Sequence, residues 1–164
     1  MEVIIINNQD DIDIDEEKIS SVARFIFSRF EKDESSELNI ALIGKDEIRE
    51  INKKYRQADK PTDVLSFSYR SDGDIFGFMG DEKEFRKEYG FFTVGEILLC
   101  PAVAGDRVED YGDGWNLEKI LIFLIIHGIL HIYEYEHDSD EDRQRMENEQ
   151  LRLLKLAEKE FNLF

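Results

Sequence analysis

Asn116-Leu-Glu-Lys-Ile-Leu-Ile-Phe-Leu-Ile-Ile-His127-Gly128-Ile-Leu-His131-Ile-Tyr133 is the stretch that decides the fold. Between Ile120 and Ile132 it is apolar on nearly every side. A surface helix shows one apolar stripe, so a helix with no polar face belongs in the interior. The unbroken apolar run, Ile120 to Ile126, is far too short to span a bilayer. The segment therefore predicts a helix from about Asn116 to Tyr133 that forms the buried centre of the fold.

The flanking sequence supplies the layers around it. Val3–Asn7 reads as a β-branched strand ended by two Asn residues. Asp15 is placed to cap a helix from about Glu16 to Phe30, whose apolar residues share one face. Leu38–Ile43 is a second strand, followed by a helix capped by Asp46 and running to about Tyr55. Asp63–Tyr69 and Thr93–Cys100 are further strands, separated by a charged and aromatic insert from Arg70 to Phe92. A short helix from Val103 to about Glu109 and a Gly112-Asp113-Gly114 turn precede the central helix. After a break at Glu134 to Ser139, a last helix runs from about Asp140 to Glu160. This order predicts an α+β fold, with residues 1–164 forming a single domain and a mixed four-stranded sheet packed on helices around the buried one.

Composition narrows the function classes. The formal net charge of −17 argues against a long basic groove for nucleic acid, leaving only local positive patches. The single cysteine, Cys100, cannot form an intramolecular disulfide and reads as a small core residue. The N-terminus lacks the basic region and long apolar core of a signal peptide, so the expected location is cytoplasmic, with no membrane partner.

All three histidines of the chain lie in one cluster, His127-x3-His131-x5-His137. On a helix, positions i and i+4 project from one face a turn apart, close enough for two imidazoles to share one tetrahedral ion. His137 follows a helix break, where a chain that turns back can deliver a third nitrogen. Three protein ligands leave a fourth position open, the pattern of catalytic zinc sites. Isolated core histidines are the alternative, but two partnerless imidazoles would be costly to bury in so aliphatic a helix. The expected cofactor is one divalent metal, Zn²⁺ above others. The spacing is that of metzincin proteases, which carry Glu directly after the first His as general base. Here Gly128 stands in that place and can move no proton, which speaks against that peptidase mechanism.

Three blocks together resemble the YbeY family of bacterial metal-dependent endoribonucleases, which act in ribosomal RNA maturation. They are His127-Gly-Ile-Leu-His131 with Tyr135-Glu136-His137-Asp138; Asn52-Lys-Lys-Tyr55-Arg56 followed by Lys60-Pro61-Thr62-Asp63-Val64-Leu65-Ser66-Phe67; and Gly95-Glu96-Ile97. The resemblance covers most of the chain from about Leu38 to Leu154. It implies that His127, His131 and His137 hold the metal, that His127 and Arg56 serve catalysis, and that single-stranded RNA is the substrate. It further implies ribosomal RNA precursor, and the ribosomal subunit or assembly proteins, as partners. Arg56 suits phosphate, because a guanidinium forks onto two oxygens and stays charged. Lys53, Lys54 and Lys60 complete a basic cluster for substrate binding, which could equally be a solvated helix end. Asp63 and Glu136 are candidate outer supports, Asp63 orienting a ligand or Arg56. The family usually has Gly where Glu134 stands, so either Glu134 adopts a positive φ or the turn differs. A non-catalytic, metal-stabilised ribosome-assembly factor and another metal-dependent hydrolase are the competing functions.

Overall fold

The structure, a computed structural model, describes residues 1–70, 82–135 and 137–163. Four strands, β1 (Glu2–Asn7), β2 (Ser36–Leu42), β3 (Val64–Ser68) and β4 (Phe92–Leu99), form one sheet in the order β1-β2-β4-β3. β1, β2 and β4 run parallel, and β3 closes the sheet as an antiparallel edge. The helices are α1 (Glu16–Phe30), α2 (Lys45–Arg56), α3 (Glu82–Tyr89), α4 (Pro101–Asp106), α5 (Val108–Tyr111), α6 (Leu117–Ile132) and α7 (Asp140–Phe161). The expected α+β architecture with a mixed four-stranded sheet is what forms. Among the described residues, no helix is long and apolar enough to cross a membrane.

α6 is the centre, as its all-round apolar character requires. Ten of its residues are buried, from Ile120 to Ile132. It packs on one face of the sheet between α1 and α7, burying Ile19, Ile26 and Phe27 of α1 and Leu153 and Leu154 of α7 in the same core. The opposite face of the sheet carries a smaller cluster, Ile43, Leu65, Phe67, Leu98 and Cys100, covered by Ile48 of α2.

Two glycines set how closely α6 approaches the sheet. A Cβ at Gly128 would stand 2.8 Å from Ile97 Cδ1 and 2.9 Å from its Cγ1. A Cβ at Gly95 would stand 2.5 Å from the Phe67 carbonyl oxygen and 2.8 Å from Ile132 Cδ1. Gly95 follows a β-bulge: Glu37 pairs with Thr93 and Leu38 with Gly95, leaving Val94 as the extra residue. The bulge lets Val94 and Ile97 both face the α6 core.

Several element ends differ from expectation. The N-cap of α2 is Gly44, with no side-chain hydrogen bond, and Asp46 lies in the first turn, where its charge favours the helix dipole without capping. The short helix after β4 begins at Pro101, whose fixed φ suits a first helical position, and breaks into α4 and α5. The insert contains a helix, α3, with Phe92 buried in the core and Phe91 on the surface. Phe76 and Phe78 of the insert, like Glu136, lie outside the described residues.

Candidate metal centre

The site is built at the C-terminal end of α6. His127 and His131 are one turn apart, and their Nε2 atoms are 3.0 Å apart. His137 is brought back against both, with ring centroids 6.2 Å from His127 and 4.9 Å from His131. One ligand nitrogen from each of the three lies within 4.8 Å of the others. Nitrogens about 2.0–2.1 Å from a tetrahedral ion stand roughly 3.3 Å apart, so the His127–His131 pair already has nearly the required spacing.

The turn that returns His137 is a Schellman motif. Tyr135 N–H donates to the Leu130 carbonyl at 2.9 Å, and Glu134 N–H donates to the His131 carbonyl at 3.1 Å. The motif needs a left-handed residue between them, and Glu134 supplies it at φ 69°. Of the two alternatives open at this position, the positive φ is the one adopted.

Gln150 of α7 fixes the orientation of His127. Its amide Nε2 donates to the Phe123 carbonyl at 2.9 Å, which turns Oε1 toward His127 Nδ1, 3.4 Å away. That arrangement favours the proton on Nδ1 and leaves the Nε2 lone pair for an ion. Burial, then the neighbouring imidazoles and Arg56, hold the His131 pKa down at about 4. Burial also lowers that of His127, against the opposing pull of Gln150. Both rings are therefore neutral at pH 7, the state a metal requires. Two half-buried, neutral imidazoles that converge with the exposed His137 fit a borderline-soft divalent ion.

The remaining candidates divide. Arg56, the last residue of α2, is exposed, and its charge reaches both His127 and His131. Lys53, Lys54 and Lys60 are exposed, but Lys53 faces Asp59 at 3.9 Å, an acid that Arg49 binds at 2.8 Å. Asp63 is buried beside the site, and its carboxylate accepts from Arg107 at 2.9 Å rather than orienting Arg56. Its charge still acts on His127. Met146 is buried and lines a cavity with His127 and His137. Gln150 and Arg107 were not foreseen. Gln150 was legible as the one polar residue on the buried face of α7, among Met146, Leu153, Leu154 and Ala157. Arg107 carries no signal, because its partner lies 44 residues away.

A sheet-backed central helix that presents two imidazoles one turn apart, with a third returned by the following turn, defines an α+β protein with a helix-borne three-histidine cluster able to hold a metal ion. The sequence model of the family described as Endoribonuclease YbeY matches residues 4–158. The chain belongs to the YbeY family. It is 37% identical over 124 residues to the Endoribonuclease YbeY of Agathobacter rectalis, covering 73% of each chain. It is 36% identical over 137 residues to that of Acetivibrio thermocellus, covering 80% of this chain and 82% of the relative. A Thermotoga maritima protein solved in solution shares the fold, with a TM-score of 0.61 at 24% identity, over 98% of this chain and 91% of that one.

Proposed function

We propose that the protein is a metal-dependent endoribonuclease that hydrolyses phosphodiesters of single-stranded RNA, acting in the cytoplasm on ribosomal RNA precursors. The observation that carries this reading is the convergence of His127, His131 and His137 within 4.8 Å, in a chain that the YbeY family matches almost throughout. Those three residues would hold the ion, and zinc suits an all-imidazole set. When bound, the ion supplies Lewis-acid polarisation of a phosphate oxygen.

The chain's own residues do the rest. Arg56 offers a forked, permanently charged donor to the phosphate as negative charge builds up in the transition state. It stands near enough to lower the pKa of both helical imidazoles, so a phosphate bound at the ion comes within its field. Lys53, Lys54 and Lys60 would steer neighbouring phosphates. Gln150 holds His127 in the tautomer that presents Nε2. Gly128 lies against Ile97 rather than in the site, so no peptidase-type glutamate acts there.

The test is cleavage of an unstructured RNA by zinc-loaded protein beside folded His127→Ala and Arg56→Ala. His127→Ala is expected to lose metal and activity together. Arg56→Ala is expected to keep metal and lose roughly 10²–10³ in kcat, the scale of removing one transition-state donor. A metal-loaded parent that leaves RNA intact would overturn the proposal, and cleavage that survives both substitutions would trace to another nuclease.

A further inference from the structure

Beside the histidines lies a cavity of about 500 Å³ between β3, α5, α6 and the first half of α7. His127 and His137 form part of its wall, so it is continuous with the metal centre. The rest of the wall is mainly apolar, with the rings of Tyr111 and Phe123 and the side chains of Met146 and Leu151. Leu151, 43% exposed, offers aliphatic surface at the rim that a ligand can cover. Arg143 and Glu147 add one charge of each sign. The volume is in the range of small-molecule sites, too small for a docked helix or strand.

We propose that this cavity is the subsite for the unpaired base of the nucleotide next to the phosphate at the metal. The inference rests on the endoribonuclease reading and deepens it. A phosphate drawn to the histidines carries its nucleoside within reach of a wall that shares two of those histidines. Aromatic and aliphatic surfaces hold any base by its face, and base-on-aromatic contacts contribute about 1–3 kcal/mol each. Arg143 and Glu147 present donors and acceptors of the kind that read a base edge. The ion pair of Arg143 with Asp140 spans 3.8 Å between two exposed side chains, loose enough to yield to a base. The charge of the whole chain strengthens the case. At a net −17 the protein gains little from diffuse attraction to phosphates, so contacts that do not depend on charge must supply more of the affinity. A base subsite that accepts only splayed-out nucleotides also explains, physically, a preference for single strands.

The chain's single tryptophan reports on this wall. Trp115 lies 4.9 Å from Tyr111 and 5.1 Å from Phe123, ring centre to ring centre. Zinc-loaded protein is titrated with adenosine 5′-monophosphate, with ribose 5-phosphate and with inorganic phosphate, following Trp115 fluorescence. The nucleotide is expected to saturate the change at a concentration at least tenfold lower than either base-free probe. Leu151→Glu, at an exposed position that leaves folding intact, is expected to raise that concentration at least tenfold with bound zinc unchanged. Equal half-saturation by the nucleotide and ribose 5-phosphate would overturn the subsite, as would no fluorescence change or a nucleotide affinity indifferent to Leu151→Glu. RNA cleavage by the parent is measured in parallel. Cleavage with base-blind binding refutes the subsite alone, whereas an inert, zinc-loaded parent refutes the endoribonuclease reading itself.

Discussion

Glu134 is the residue on which the return of His137 turns. A non-glycine residue in the left-handed region costs about 1–2 kcal/mol, part of which glycine gives back as extra freedom in the unfolded chain. Glu134→Gly is therefore expected to stabilise the protein by about 1 kcal/mol, seen as a Tm rise of roughly 2–4 °C. A fall in Tm would mean that the Glu134 side chain contributes more than its backbone costs. The half-buried imidazoles of α6 give a second expectation. His131 titrates near 4 in the folded chain and near 6.5 when exposed, so on acidification the unfolded state takes up its proton first. That stability is present in full above pH 6.5 and drains away between 6.5 and 4. Chelator-treated protein should therefore lose stability between pH 7 and pH 5, measured by guanidinium unfolding. His131→Asn should flatten the dependence, and an unchanged slope would remove His131 as its source. At this scale the histidine cluster was legible because ligand spacing is local. The Asp63–Arg107 pair was not, since an ion pair across 44 residues leaves no pattern in the chain.

Elements were legible wherever periodicity and caps agreed. Asp15 caps α1 through Lys18 N–H at 3.0 Å, and Asn116 caps α6 through Lys119 N–H at 2.9 Å. Those helices start where the sequence places them. The start of α2 was misplaced because Gly44 takes the cap position with no side chain to announce it. The close approach of α6 to β4 was also invisible, since a glycine in a helix reads only as a weak point until its neighbour is known. Gly128→Ala tests that contact. Alanine gains about 1 kcal/mol of helix propensity, but its methyl would sit 2.8 Å from Ile97 Cδ1, 2.9 Å from Cγ1 and 3.1 Å from Cγ2, and Ile97 is fully buried. Overpacking of this kind costs about 1–3 kcal/mol, so a net loss of Tm is expected. Ile97→Val in the same chain removes Cδ1 and should restore part of it. If Gly128→Ala alone raises Tm, the helix does not lie as close to the sheet as described.

On the scale of the whole molecule the conflict is between an acidic surface and a polyanionic substrate. Thirty-eight acidic residues stand against twenty-one basic ones, yet Lys53, Lys54, Arg56 and Lys60 are exposed at or just after the end of α2, and the charge of Arg56 reaches the histidines. At physiological ionic strength charges are screened beyond about 8 Å, so these local cations set the electrostatic part of contact with a bound strand, while the net charge adds no diffuse attraction. Each phosphate neutralised on a single strand contributes about −0.7 to the slope of log affinity against log salt. Four cations give a slope of at most roughly −3, and the share of Lys53 is reduced by Asp59 beside it. Binding of a non-cleavable single-stranded RNA should therefore weaken only gently with salt, and Arg56→Ala should make the slope shallower by about 0.7. The repulsion from distant acids acts in the same direction: at low salt it opposes encounter, and added salt relieves it. A slope steeper than about −5 would require a second, unrecognised basic surface and would break the link drawn between Arg56 and the phosphate at the metal. A shallow slope that Arg56→Ala leaves unchanged would break that link too, and would shift the affinity onto contacts with the bases.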